Sequence, residues 1–218
     1  MPFASRLEGG PVVASERHTM KKWILAIAVV LVLIIGMSVV GGYNSLVSLD
    51  QAVRAQWGQV ENVYQRRADL VPNLVETVKG AAAFEKETYT AVAEARAQVG
   101  KVSSASLEKL AADPEAFQRF QKAQEGLGSA LSRLLVVAER YPDLKATANF
   151  RDLQSQLEGT ENRITVERMR FNETAQAFNT KRQSVPTVFI AGFFGNRFKE
   201  KPYFQARPGA ETAPQVKF

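Results

Sequence analysis

LVSLDQAVRAQWGQVENVYQRRADLVPNLVETV, residues 46–78, decides the fold. Leu46, Leu49, Val53, Trp57, Val60, Tyr64, Val71, Leu74 and Val78 recur at steps of three and four, with Arg67 taking one place in the series. A spacing near 3.5 residues held over four heptads marks a helix packed along a bundle or coiled coil. The stripe continues more weakly through Ala81, Phe84, Tyr89, Val92 and Val99, and Gly100 before KVSSAS reads as a helix end and a loop. A helix unbroken from 46 to 100 would be about 80 Å long, so a bend or break is expected at Pro72 or Gly80.

Two further helical elements follow. The second starts weakly near Leu107 and firmly at Asp113-Pro114, an aspartate cap ahead of a proline at the first helical position. Phe117, Phe120, Leu127, Leu131, Leu134 and Ala138 form its apolar face, and Tyr141-Pro142-Asp143 stops it. The third runs from Leu144 to about Arg182, with Phe150, Leu153, Leu157, Glu161, Ile164, Arg168, Phe171, Ala175 and Phe178 on one stripe. No segment before residue 185 alternates with a strand's period of two. The expected fold is all-α: a single transmembrane helix, then an up-and-down antiparallel bundle of three or four long helices.

The membrane helix is WILAIAVVLVLIIGMSVV, Trp23–Val40, inside a run that carries no charge until Asp50. Eighteen residues rise about 27 Å, close to the hydrocarbon thickness of a bilayer. Lys21, Lys22 and Trp23 flank it as interfacial anchors do. A cleaved signal peptide shares the Met20-Lys21-Lys22 start, but this apolar run exceeds an ordinary signal core and no A-x-A precedes Tyr43. Arg6, Arg17, Lys21 and Lys22 precede the span, whereas Arg54 is the lone basic residue in the twenty after it. The positive-inside rule then places the bundle outside the cytoplasm.

Composition narrows the chemistry. The 218 residues include no cysteine and one histidine, His18, which lies ahead of the span. Thiolate chemistry, disulfides and histidine-based catalysis or metal binding are therefore set aside, and no cofactor is expected. Of the formal charge of +6, residues 1–22 carry +2 and residues 181–218 carry +5, leaving −1 for the helical region. The basic character belongs to the ends and gives no reason to invoke nucleic acid. Segments are expected as follows: a disordered extension at 1–19, dispensable or from a misassigned start; the anchor at 20–42; the bundle at 43–183; an apolar capping or interface segment at 184–198; and a basic disordered tail at 199–218.

RRADLVPNLV, residues 66–75, holds the candidate site. Arg67 sits where the stripe calls for a hydrophobe, and a buried guanidinium requires a partner. Glu161 and Arg168 are equally out of place on the third stripe. Arg67 and Glu161 are therefore expected to pair across the bundle, with Asp69 and Arg168 in the same polar layer and Pro72 and Asn73 bordering it. Asn172 and Asn179, seven apart beside Phe171 and Phe178, suggest repeated interhelical contacts. An enzymatic reading would draw on Arg66, Asp69, Glu161 and Glu167, but no nucleophile or metal set accompanies them.

These stretches together resemble the LemA family of bacterial membrane proteins. The resemblance rests on the apolar anchor, YNSLVSLDQAVRAQWGQVENVYQRRADLVPNLVETVKG, AEARA, AERYPDLKATANFRDLQSQLEGTENRI, the repeated FN at 171 and 178, and SVPTVFIAGFF. It covers roughly Trp23 to Phe198 and implies an anchored helical bundle without a reaction of its own. It also implies membrane partners, such as HtpX-like peptidases and TPM-domain proteins. The expected function is a non-catalytic scaffold or adaptor of the bacterial inner membrane, in contact with lipid and self-associating. The alternative is a regulatory subunit or sensor for a membrane metallopeptidase or an envelope-stress system.

Overall fold

The computed structural model describes residues 12–81, 85–103, 107–195 and 197–205. They form seven helices and no strand: α1 (Val12–Ala81), α2 (Lys86–Ser103), α3 (Leu107–Ala112), α4 (Pro114–Glu139), α5 (Pro142–Ala146), α6 (Ala148–Gln183) and α7 (Thr187–Phe193). The first helix has 70 residues, about 105 Å at 1.5 Å per residue. From Met20 to Val40 its large apolar side chains are all exposed, and it is the one described helix long and apolar enough to cross a membrane. So much apolar surface is stable only in lipid. The chain is built as a single-pass membrane protein. Helix already begins at Val12, inside the extension expected to be disordered, while residues 1–11 lie outside the described residues.

Beyond the anchor, α1 enters the bundle without interruption. Of the two places expected for a break, Pro72 lies within the helix, whereas α1 ends at Ala81, one residue past Gly80, and α2 begins at Lys86. Pro72 costs the helix the hydrogen bond to the Ala68 carbonyl. Its ring lies on the exposed face, where water can reach the orphaned oxygen, so the helix survives there. That break makes the bundle four long helices (α1, α2, α4 and α6) rather than three.

Local signals set the other ends. Asp113 caps α4 by accepting from the Glu115 amide at 2.9 Å, with Pro114 at the first position. The element expected from Leu144 is split: α5 ends at Ala146, and Thr147 caps α6 by accepting from the Phe150 amide at 3.3 Å.

Packing divides the bundle into two cores. The distal core joins Val71, Leu74 and Val78 of α1 to α2, α4 and the start of α6. The membrane-proximal core joins Leu46 through Tyr64 to Phe117, Phe120, Phe171 and Phe178. Phe198 and Phe204 also belong to it, though they come from beyond the helices. Residues 198–205 pass along α6 as a non-helical strap, so residues 199–205 are part of the core rather than a disordered tail. Residues 206–218 of that expected tail lie outside the described residues.

Phe204 is central to this packing. Its ring stacks on Trp57 with centroids 6.1 Å apart and lies 5.1 Å from Phe117 and 5.4 Å from Phe171. Truncating a buried phenylalanine removes transfer energy and leaves a cavity. Phe204→Ala is expected to lower unfolding stability by about 3–5 kcal/mol in detergent-solubilised protein followed by circular dichroism. Val136→Ala, at an exposed position, should stay within about 0.5 kcal/mol.

Candidate functional site

The buried charged groups gather in two layers, one around Asp50 within the membrane-proximal core and one around Arg67 between the two cores, and the strap supplies half of the first. Along the strap, Phe198, Lys201 and Phe204 are buried while the residues between them are more exposed. Burial at every third residue, with Pro202 inside, matches the three-residue period of polyproline II. A chain of that kind makes no hydrogen bonds to itself, so its buried main-chain groups must pair elsewhere.

Helix α6 provides the partners. Asn179 donates from Nδ2 to the Lys201 carbonyl and accepts the Lys201 amide at Oδ1, both at 2.9 Å. Asn172 does the same with Phe204, at 2.9 and 2.8 Å. Each asparagine thus satisfies one donor and one acceptor of the strap, as a neighbouring strand would. Seven helical residues rise about 10.5 Å, and three extended residues reach about 10 Å, so the two spacings match. Arg182 Nε to the Phe198 carbonyl and Arg168 Nη2 to the Gln205 carbonyl, each at 2.8 Å, hold the two ends. The Arg168 guanidinium also lies 4.9 Å from the centre of the Phe204 ring. The asparagine pair therefore contacts a strap rather than another helix.

Lys201 carries a charge into the core. Its Nζ meets Asp50 Oδ1 at 2.6 Å and lies 4.9 Å from the centre of the Phe178 ring. Both residues are about 5% exposed: Asp50 6%, Lys201 5%. Arg54 binds the other Asp50 oxygen at 2.8 Å and extends the network to Glu108. Burial alone would push the Asp50 carboxyl up, but the hydrogen bonds from Lys201 and Arg54 outweigh it and hold the group below its ordinary value.

The second layer surrounds Arg67, which is 2% exposed. Its Nη1 binds Glu161 at 3.0 Å, and its Nη2 binds both the carbonyl, at 3.0 Å, and the side-chain oxygen of Gln124. The Glu161 side chain keeps 38% of its surface in solvent, which moderates the desolvation cost of the pair. The Tyr64 ring lies beneath the guanidinium at 5.2 Å. Burial pushes its phenol up, against the opposing pull of Arg168 and Arg67.

Three expected members fall outside this layer. Asp69 is exposed and accepts from Gln65 at 2.7 Å. Pro72 and Asn73 are exposed too, and the Asn73 carbonyl accepts from Thr77. Starting from Arg67, a strict three–four helical count carries the buried face past positions 69, 72 and 73 to Val71 and Leu74. Arg168 borders the layer, but its hydrogen bond goes to the strap. Nor do the residues considered for catalysis converge: Arg66 is exposed, and Glu167 binds Gln56 at 2.6 Å and Arg170 at 3.0 Å.

A family model, the LemA family, matches residues 56–218. The chain belongs to the LemA family. Among its curated relatives, magnetosome protein MamQ 2 of Paramagnetospirillum magneticum is 28% identical over 184 residues, covering 78% of this chain and 67% of the relative. Magnetosome protein MamQ of Magnetospirillum gryphiswaldense is 28% identical over 191 residues, covering 80% and 70%. The family match includes the strap and α6, and hence both halves of the asparagine clasp.

Asp50 and Lys201 were absent from the sequence-derived site, yet a signal for Asp50 exists. Counting back from Val53 by alternating three and four gives Asp50 and then Leu46, with Leu49 off the register.

The pH dependence of the clasp follows from the lowered Asp50 carboxyl. A group whose folded value is depressed stabilises the fold above its unfolded value, about 3.9 for aspartate, and loses that contribution as pH falls through the folded value. Asp50→Asn is expected to be less stable than the native chain at neutral pH by about 3 kcal/mol, since Lys201 stays buried without its counter-charge. Denaturant titrations at stepped pH should show that gap constant down to about pH 5 and shrinking below about pH 4.

Proposed function

We propose that this LemA-family protein is a non-catalytic scaffold or adaptor of the bacterial envelope, held in the inner membrane with its bundle on the extracytoplasmic side. The observation that carries this reading is the unbroken α1, which runs from the apolar span through Pro72 to Ala81. A helix continuous from the bilayer into the bundle transmits position and orientation. About 60 Å of it runs beyond Gly41 as one wall of the bundle, whose cores begin at Leu46, so the far end of the bundle is carried a set distance from the lipid. Such a part suits an assembly that needs a rigid post.

The polar residues support the same reading. Arg67, Glu161, Asp50 and Lys201 engage one another or main chain within the fold, which is the work of structural side chains. The excess of basic residues before the span supports the orientation. The protein acts through copies of itself or through membrane-protein partners of the kind implied by the family resemblance. After extraction from native membranes in mild detergent, it should migrate as a species larger than a monomer or bring cross-linked membrane proteins with it. A strictly monomeric particle with nothing attached would contradict the proposal.

A further inference from the structure

We propose that α7 is a second membrane contact, in which Phe189 and Phe193 enter the boundary between lipid headgroups and acyl chains beside the base of α1. This inference rests on residues 23–40 spanning the bilayer, and its test separates the two.

The height of α7 is fixed by its contacts. A Cβ on Gly42 would lie 2.7 Å from Ile190 Cδ1 and 3.2 Å from Thr187 Cγ2, so α7 is seated directly against α1 at that residue. Tyr43 continues the contact, with ring centroids 5.2 Å from Phe194 and 5.5 Å from Phe198. Counting from Trp23, Gly42 is the twentieth residue, and twenty residues rise about 30 Å, one hydrocarbon thickness. Any side chain exposed at that height faces the interfacial layer, whichever way it points.

The residues there suit that layer. Thr187, Ile190 and Ala191 are buried and lock the inner face of α7, while Phe189 is 73% and Phe193 85% exposed. Arg197, also exposed, places its guanidinium 5.7 Å from the centre of the Tyr43 ring, so a cation stands at the same level as the aromatics. Aromatic side chains beside a cation at the core boundary are what the headgroup region accommodates. A second copy of the chain is the weaker occupant. A stable protein interface buries about 800 Å² on each partner, which a seven-residue helix with one face already committed does not supply. With α1 as the first point of attachment and α7 as the second, the bundle is held at a set tilt to the membrane.

The chain has no native cysteine, so nitroxide labels can be placed singly at Phe193→Cys, Leu31→Cys and Val136→Cys. The full-length protein would be reconstituted into vesicles of phosphatidylcholine and phosphatidylglycerol, and label collisions with oxygen and with a water-soluble nickel chelate compared. The proposal predicts an oxygen-to-nickel ratio at position 193 several-fold above that at 136 and below that at 31. A label at 193 as open to nickel as the one at 136, with 31 still in lipid, overturns the α7 contact alone. Protection at 193 from both agents, with spin–spin broadening, also overturns it by showing a second copy on that face. Nickel access at position 31 would overturn the membrane span, and the α7 contact with it.

Discussion

The main chain of the strap, buried against α6 without a helix or sheet of its own, is the constraint on which the membrane-proximal half of the bundle depends. Buried amides and carbonyls left unpaired cost about 1–3 kcal/mol each, and a polyproline-like segment offers them nothing internally. Asn172 and Asn179 meet that demand two main-chain groups at a time because each amide side chain presents a donor and an acceptor side by side. Once the strap is held, Phe204 closes the aromatic core over Trp57 and Lys201 brings its charge to Asp50. A salt bridge so deeply buried is a doubtful source of net stability and a strong source of registry. Displacing the strap by one residue would strand a lysine in an apolar core.

This arrangement concentrates side-chain bonding at the base of the bundle, beside the apolar span. The long helix comes up from the lipid, α6 returns antiparallel to it, α7 turns beside Gly42 and the strap climbs back along α6. The distal half is a four-helix core of mainly aliphatic residues, with Phe150 among them, and needs no such device. The dense polar and aromatic bonding therefore sits at the foot of the bundle, nearest the apolar span.

Much of this was legible in the sequence, for identifiable reasons. The anchor and long helices follow from apolar periodicity, and Arg67 with Glu161 could be paired because a charge on an apolar stripe demands a counterpart. Pro72 does not end the helix: it lies on the exposed face, and α1 continues through it to Ala81, so the proline alone does not locate the break. Asn172 and Asn179 were visible as a pair on one face, but the face does not tell what lies across it. Lys201 is one of several basic residues in its stretch, and the burial of Phe198, Lys201 and Phe204 at every third position belongs to neither helix nor strand. Asp69 falls outside the polar layer because two residues along a helix turn through about 200°, which carries it to the exposed face.

The central claim is that residues 198–205 are an integral, hydrogen-bonded part of the bundle rather than a trailing end. Native-state hydrogen exchange at the amides of Lys201 and Phe204 tests it most directly, because both donate to α6 side chains. The account predicts protection approaching that of the buried α1 amides around Trp57, and its loss at Lys201 in Asn179→Ala. Exchange of both amides at the rate of an unstructured peptide would contradict it.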